Sequence, residues 1–110
     1  MDRPKESDWK TFRKRVPEWR ERYLEQQNRQ LADMLCDGQQ TPTENFWATK
    51  ERMKKTARIL VDCLDGHSRS RMEMYLLQMY KYEMIGDADL DEFSAELKGR
   101  ILGMFEVYKM

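Results

Sequence analysis

The stretch from Arg71 to Ile85, RMEMYLLQMYKYEMI, decides the fold, because Met, Tyr, Leu and Ile fill ten of its fifteen positions. In a chain where 36% of residues are charged, no other segment is so apolar. Projected at ~100° per residue, Met72, Tyr75, Leu76 and Met79 share one side of a helix. Met74, Leu77 and Met84 share another, together with Lys81, whose stem can lie flat while its ammonium stays wet. A helix apolar nearly all round has to be covered nearly all round. The segment is therefore expected to be the central helix, capped by Ser68 or Ser70 and ended by Gly86.

Working outward, the same periodicity recurs and alternation is absent. Thr41-Pro42-Thr43-Glu44 is a capping box with proline in the first turn. It opens a helix whose apolar stripe is Phe46, Met53, Ala57, Leu60 and Leu64, interrupted by Lys50. Asp65-Gly66 is its stop. Before it, Pro17 is expected to end one short helix, carrying Trp9, Phe12 and Val16, and to begin another that runs to about Cys36. That second helix has Leu24, Asn28, Leu31 and Leu35 in a heptad-like register, and Asp37-Gly38 ends it. The last helix opens at Asp87 or Asp89, with Leu90, Phe93, Leu97, Ile101, Met104 and Tyr108 as its buried stripe. Gly99 and Gly103 within it cost roughly 1 kcal/mol each relative to alanine and leave a flat face.

The loops are short, as in helical bundles, and no strand competes. The predicted fold is all-α, a small antiparallel four-helix bundle with an additional short N-terminal helix. Residues 1–6 are expected to be disordered and residues 7–110 to form a single domain.

The totals exclude little. The 20 basic and 20 acidic side chains balance, so net charge demands no acidic partner. The first sixty residues nevertheless carry a charge of +4 and the remainder −4. This asymmetry predicts attraction between the halves within one fold. The start, MDRPKESDW, is too polar for a signal peptide, and the longest apolar run, Met74 to Leu77, is far from the ~20 residues that span a bilayer. A cytoplasmic protein without a membrane role is the expectation. Cys36 and Cys63 fall near opposite ends of one helix, too far apart to bridge, and are expected to be reduced and buried.

Four clusters invite chemistry. Asp87-Ala88-Asp89-Leu90-Asp91 has the opening of a calcium loop, but Glu92 stands where glycine is needed and Lys98 where glutamate is needed; helix-start acids explain it better. Cys63, Asp65 and His67 fall short of a zinc set. The helix start Ser68-Arg69-Ser70-Arg71 combines free amides, hydroxyls and guanidinium groups that suit an anion. The basic and aromatic segment Trp9–Tyr23, continued by Lys50, Lys54 and Arg58, suits nucleic acid, although Glu18, Glu21 and Glu25 dilute it.

No cluster assembles an acid, a base and an electrophile, so no catalytic residue, metal or cofactor is expected. The leading expectation is a non-enzymatic interaction module that pairs with itself or another protein through Met74, Leu77, Lys81 and Met84. Methionine suits such adaptable surfaces. A small nucleic-acid-binding regulator is the alternative.

Overall fold

The computed structural model describes residues 4–109, and those residues form helices joined by short turns, with no strand among them. Two long helices form a hairpin: α1 (Glu6–Leu35) and α2 (Pro42–Leu64). They are followed by α3 (Met72–Lys81), a single turn α4 (Asp87–Leu90) and α5 (Ala95–Lys109). No described helix is long and apolar enough to cross a membrane.

Pro17 lies inside α1 and does not divide it, which corrects the expected separate N-terminal helix. An interior proline costs about 3 kcal/mol. Continuity across it brings Phe12, Val16, Trp19 and Tyr23 into one core, each under 10% exposed. At about 1.5–3 kcal/mol for each large apolar side chain, that burial outweighs the proline. Of the residues expected to be disordered, 1–3 lie outside the described residues. Pro4 accepts two hydrogen bonds from the Arg69 guanidinium, and Lys5 pairs with Glu96 at 2.9 Å.

The capping box at Thr41 forms as expected. The Glu44 amide donates to Thr41 Oγ1 at 3.1 Å and the Thr41 amide to Glu44 Oε1 at 3.0 Å. That backbone bond to Thr41 holds the Glu44 carboxyl below its usual pKa.

Helix α3 is shorter than the apolar run that announces it. Glu83 adopts φ 59°, the Met84 amide reaches the Met79 carbonyl at 2.9 Å, and the Glu83 amide reaches that of Tyr80 at 3.2 Å. This is a Schellman ending with glutamate where glycine is usual. It turns Met84 and Ile85 into the core, at 2% and 3% exposure.

The chain between α3 and α5 then runs back along α1. Arg22 forks onto Asp89, at 3.1 and 2.8 Å. Arg15 binds Glu92 at 2.6 Å. Asp8, buried at 4%, accepts the Ser94 amide at 2.8 Å and its hydroxyl at 2.7 Å. Ser94 Oγ accepts the Leu97 amide at 3.2 Å, so Asp8 anchors the residue that caps α5. Asp8, Arg15 and Arg22 are seven residues apart and line one edge of α1. With Lys5–Glu96, these contacts tie the basic first half to the acidic second half.

After this return, α5 runs parallel to α3. Glu73 pairs with Arg100, the Tyr80 and Phe105 rings meet edge-on at 4.8 Å, and Lys81 Nζ lies 3.9 Å from the Tyr108 ring. The central core joins Phe12, Trp19 and Tyr23 of α1 to Met72, Leu76 and Met79 of α3 and Leu90, Leu97 and Ile101 beyond it.

Candidate functional site

The sites weighed for chemistry are engaged in local structure. His67 sits between the rings of Phe12 and Tyr75, at 4.9 and 4.6 Å, and its Nε2 lies 2.7 Å from the Cys63 carbonyl. The Cys63 thiol is fully buried, and burial pushes its pKa up to about 12. A thiol so disposed to stay protonated is a poor nucleophile. Cys36 is exposed and not buried as expected, since it follows the last turn of α1 at the hairpin tip. Among the described residues no group of three His, Cys, Asp or Glu side chains could hold a metal ion.

Asp89 belongs to the α3–α5 return. Burial works to raise its pKa, but bonds from Arg22, the Gly86 amide and Trp19 outweigh burial and hold the carboxyl below its usual range.

In the candidate anion site, Arg69–Arg71 forms one 3-10 turn leading into α3. Arg69 Nε and Nη2 both donate to the Pro4 carbonyl, at 3.1 and 2.8 Å. Ser68 Oγ lies 3.5 Å from Ser70 Oγ, and Ser70 and Arg71 are exposed. The Ser70–Glu73 capping box does not form: α3 has no side-chain cap, and Glu73 is drawn to Arg100.

Of the residues expected at an interaction surface, the structure brings two together at the surface. Met74, 44% exposed, and the half-buried Leu77 line a groove of about 520 Å³ between α3 and α5, facing Gly103, Met104 and Val107. The Glu73–Arg100 pair borders it. Lys81 lies against Tyr108 at its far end. Met84 is not on this surface, because the Schellman turn has put it in the core.

A second exposed apolar surface lies on the hairpin. The helices are antiparallel, with Asn45 Nδ2 donating to the Asp37 carbonyl at 2.8 Å and Arg52 Nη2 to Gln27 Oε1 at 3.1 Å. Their shared seam is polar. On α2 the covered positions are Asn45, Thr49, Thr56 and Cys63, with Arg52 between them; on α1 they are Tyr23 and Gln27. Arg52 also reaches Gln30, and Thr56 Oγ1 lies 3.4 Å from Gln27 Oε1. Asn45 Oδ1 and Thr49 Oγ1 are buried there without a hydrogen-bond partner.

The apolar stripe expected on α2 is therefore displaced by one residue from the seam that α1 covers. Phe46 is 56% exposed and Met53 55%, while Leu60 and Leu64, at the other end of the stripe, are half-buried against the core as expected. The stripe expected on α1 is displaced in the same sense: Leu24 and Leu31 are half-buried and Leu35 is 52% exposed. One residue turns a helix by ~100°. In antiparallel neighbours, a shift toward the C-terminus on each helix turns both stripes to the same side of the pair. The rest of the domain packs on the other side, where Tyr82 lines a groove with Glu51, Lys54, Lys55, Arg58 and Ile59 of α2, and Arg22 of α1 binds Asp89 and the Met84 carbonyl.

Comparisons with protein-family models, with curated proteins and with solved structures find no match to this chain.

Proposed function

We propose that this chain is a non-enzymatic helical interaction module that associates with itself, its long helices α1, α2, α3 and α5 forming a small bundle. The observation that supports it is the inverted arrangement toward the hairpin tip, where Gln27, Asn45, Thr49, Arg52 and Thr56 fill the seam while Leu35, Phe46 and Met53 are more than half exposed. In an ordinary helix pair the apolar stripe is the covered one. Exposed apolar surface in this quantity marks a contact surface, and the Met74–Val107 groove adds to it. Light scattering at micromolar concentration tests the proposal. A mass near twice 13.4 kDa is expected, and a mass of 13.4 kDa across the concentration range would overturn it.

A second reading, binding of single-stranded nucleic acid, is favoured by one feature of α2. Trp47 is 54% exposed with Lys50 Nζ 5.1 Å from its ring, and Lys54, Lys55 and Arg58 follow it in exposed positions. Stacking and phosphate contacts would both be available there. Retention on nucleic acid that weakens steeply from 50 to 200 mM salt supports this reading; no retention at about 50 mM rejects it.

A further inference from the structure

We propose that the surface through which two copies pair is the outer face of the α1–α2 hairpin, with α1 of each copy lying antiparallel against α2 of the other. This inference rests on the self-association reading and specifies its contact. The stripe of α2 has heptad spacing: Phe46, Lys50, Met53, Ala57, Leu60 and Leu64 alternate intervals of four and three, and its outer part is Phe46 to Ala57, since Leu60 and Leu64 are half-buried against the core. Leu24, Asn28, Leu31 and Leu35 of α1 share that spacing. Such spacing is what a helix needs to keep one seam against a partner. Toward the hairpin tip each helix thus carries two adjacent seams, and the covered one, at Gln27 on α1 and from Asn45 to Thr56 on α2, is polar.

Charge selects the occupant and its orientation. Beyond the apolar stripe, the edge of α1 away from α2 presents Glu21 and Glu25, and the corresponding edge of α2 presents Lys54 and Arg58, all four exposed. Glu21, Glu25 and Lys54 meet Arg20, Arg29 and Glu51 of their own helices at 3.2, 2.7 and 3.9 Å, exposed pairs that are worth little and exchange readily. A two-fold axis along the hairpin sets the acidic edge of one copy against the basic edge of the other. An axis across the hairpin would set like against like. The axis along the hairpin also keeps levels matched. Arg52 and Thr56 both reach Gln27, so Lys54 stands level with residue 27 and within ~3 Å of rise from Glu25. By the same offset Arg58 stands within ~3 Å of the level of Glu21. The charges fix register and orientation, while the apolar stripe supplies affinity. Both domain bodies lie outside the four-helix layer so formed, because they pack on the opposite side of each hairpin.

Sedimentation of the wild-type chain and three variants tests the pairing. Wild type at about 100 µM is expected to sediment as a dimer. Met53→Glu, at an exposed site, should be a helical monomer, its dimer weakened at least ~100-fold, as follows from placing a charge in a closed apolar contact. Met104→Glu, in the α3–α5 groove, should dimerise like wild type. Lys54→Glu should weaken the dimer about tenfold, and adding Glu25→Lys should restore it to within about threefold. A wild-type monomer overturns both the pairing and the self-association reading. A dimer abolished by Met104→Glu and unchanged by Met53→Glu moves the contact to the groove and overturns the pairing alone. A charge-swapped variant as weak as Lys54→Glu overturns the orientation.

Discussion

Replacing Asp8 by alanine should be among the most damaging single changes to this fold, although the residue lies in the first turn of α1. Asp8 is 4% exposed and accepts both the amide and the hydroxyl of Ser94, at 2.8 and 2.7 Å. Hydrogen bonds to an ionised acceptor contribute about 1.5–3 kcal/mol each. Ser94 is only half-buried, so water can reach its freed groups and the loss should fall short of the full sum. We expect about 2–4 kcal/mol, of which about 1 kcal/mol reflects weakened capping of α5 through Ser94 Oγ. For a domain of this size that lowers Tm by about 10–20 °C. Urea unfolding followed by far-UV circular dichroism gives the measurement. Asp33→Ala, at an exposed position of the same helix, should stay within about 0.5 kcal/mol of wild type. In a double-mutant cycle, Ser94→Ala should cost much less once Asp8 is gone. A loss below about 0.5 kcal/mol for Asp8→Ala would refute the anchoring argument, and so would strict additivity with Ser94→Ala.

Four smaller effects follow from the same contacts. Thr41→Ala should cost about 1 kcal/mol in a urea titration, since the Glu44 amide loses its acceptor. Glu83→Gly should stabilise by up to about 1 kcal/mol, because φ 59° is strained for glutamate and free for glycine; a lower urea midpoint would contradict the Schellman assignment. Gly99→Ala should gain about 0.5–1 kcal/mol, since an added Cβ meets nothing within 4 Å. Asp89 is held below its usual pKa in the folded chain, so its contribution is present above the unfolded value of about 3.9 and is lost as pH falls through the depressed folded pKa. Asp89→Asn should therefore lower stability at pH 7 and flatten its dependence below about pH 4; an unchanged acid profile would count against the Arg22 fork.

How far the sequence could be read depended on what each signal measures. The helical class is legible because the 3.6-residue period and the Thr41–Glu44 and Asp65-Gly66 signals are local, but the last helix does not run on from Asp87 as expected: it stops after Leu90 and restarts at Ala95 behind Ser94. The central helix and its core face Met72, Tyr75, Leu76 and Met79 were also legible, as hydrophobicity alone sets them. Pro17 misled, because the local rule disfavouring the helix carries less energy than the core that α1 builds across it. The run to Ile85 misled in the other direction: a turn at Glu83, with no glycine to announce it, ended α3 and carried Met84 from the expected contact surface into the core. The hairpin seam is not legible, because hydrophobic pattern alone does not show burial: Arg52 and Thr56 both reach Gln27 and leave Phe46 and Met53 outside. The Asp8–Arg15–Arg22 edge had a readable sign, its exact seven-residue spacing, but its partners in 89–94 are fixed only by the fold.

The account stands most directly on the contact between the outer edges of two hairpins, and zero-length carbodiimide coupling of carboxylates to lysines reads that contact. An equimolar mixture of unlabelled and ¹⁵N-labelled chains, equilibrated before coupling, separates links between copies from links within one. Mixed-isotope links joining Lys54 to Glu25 are expected, with dimer yield lost in Met53→Glu. Mixed-isotope links confined to α3 and α5, or no links between copies at all, would contradict the pairing.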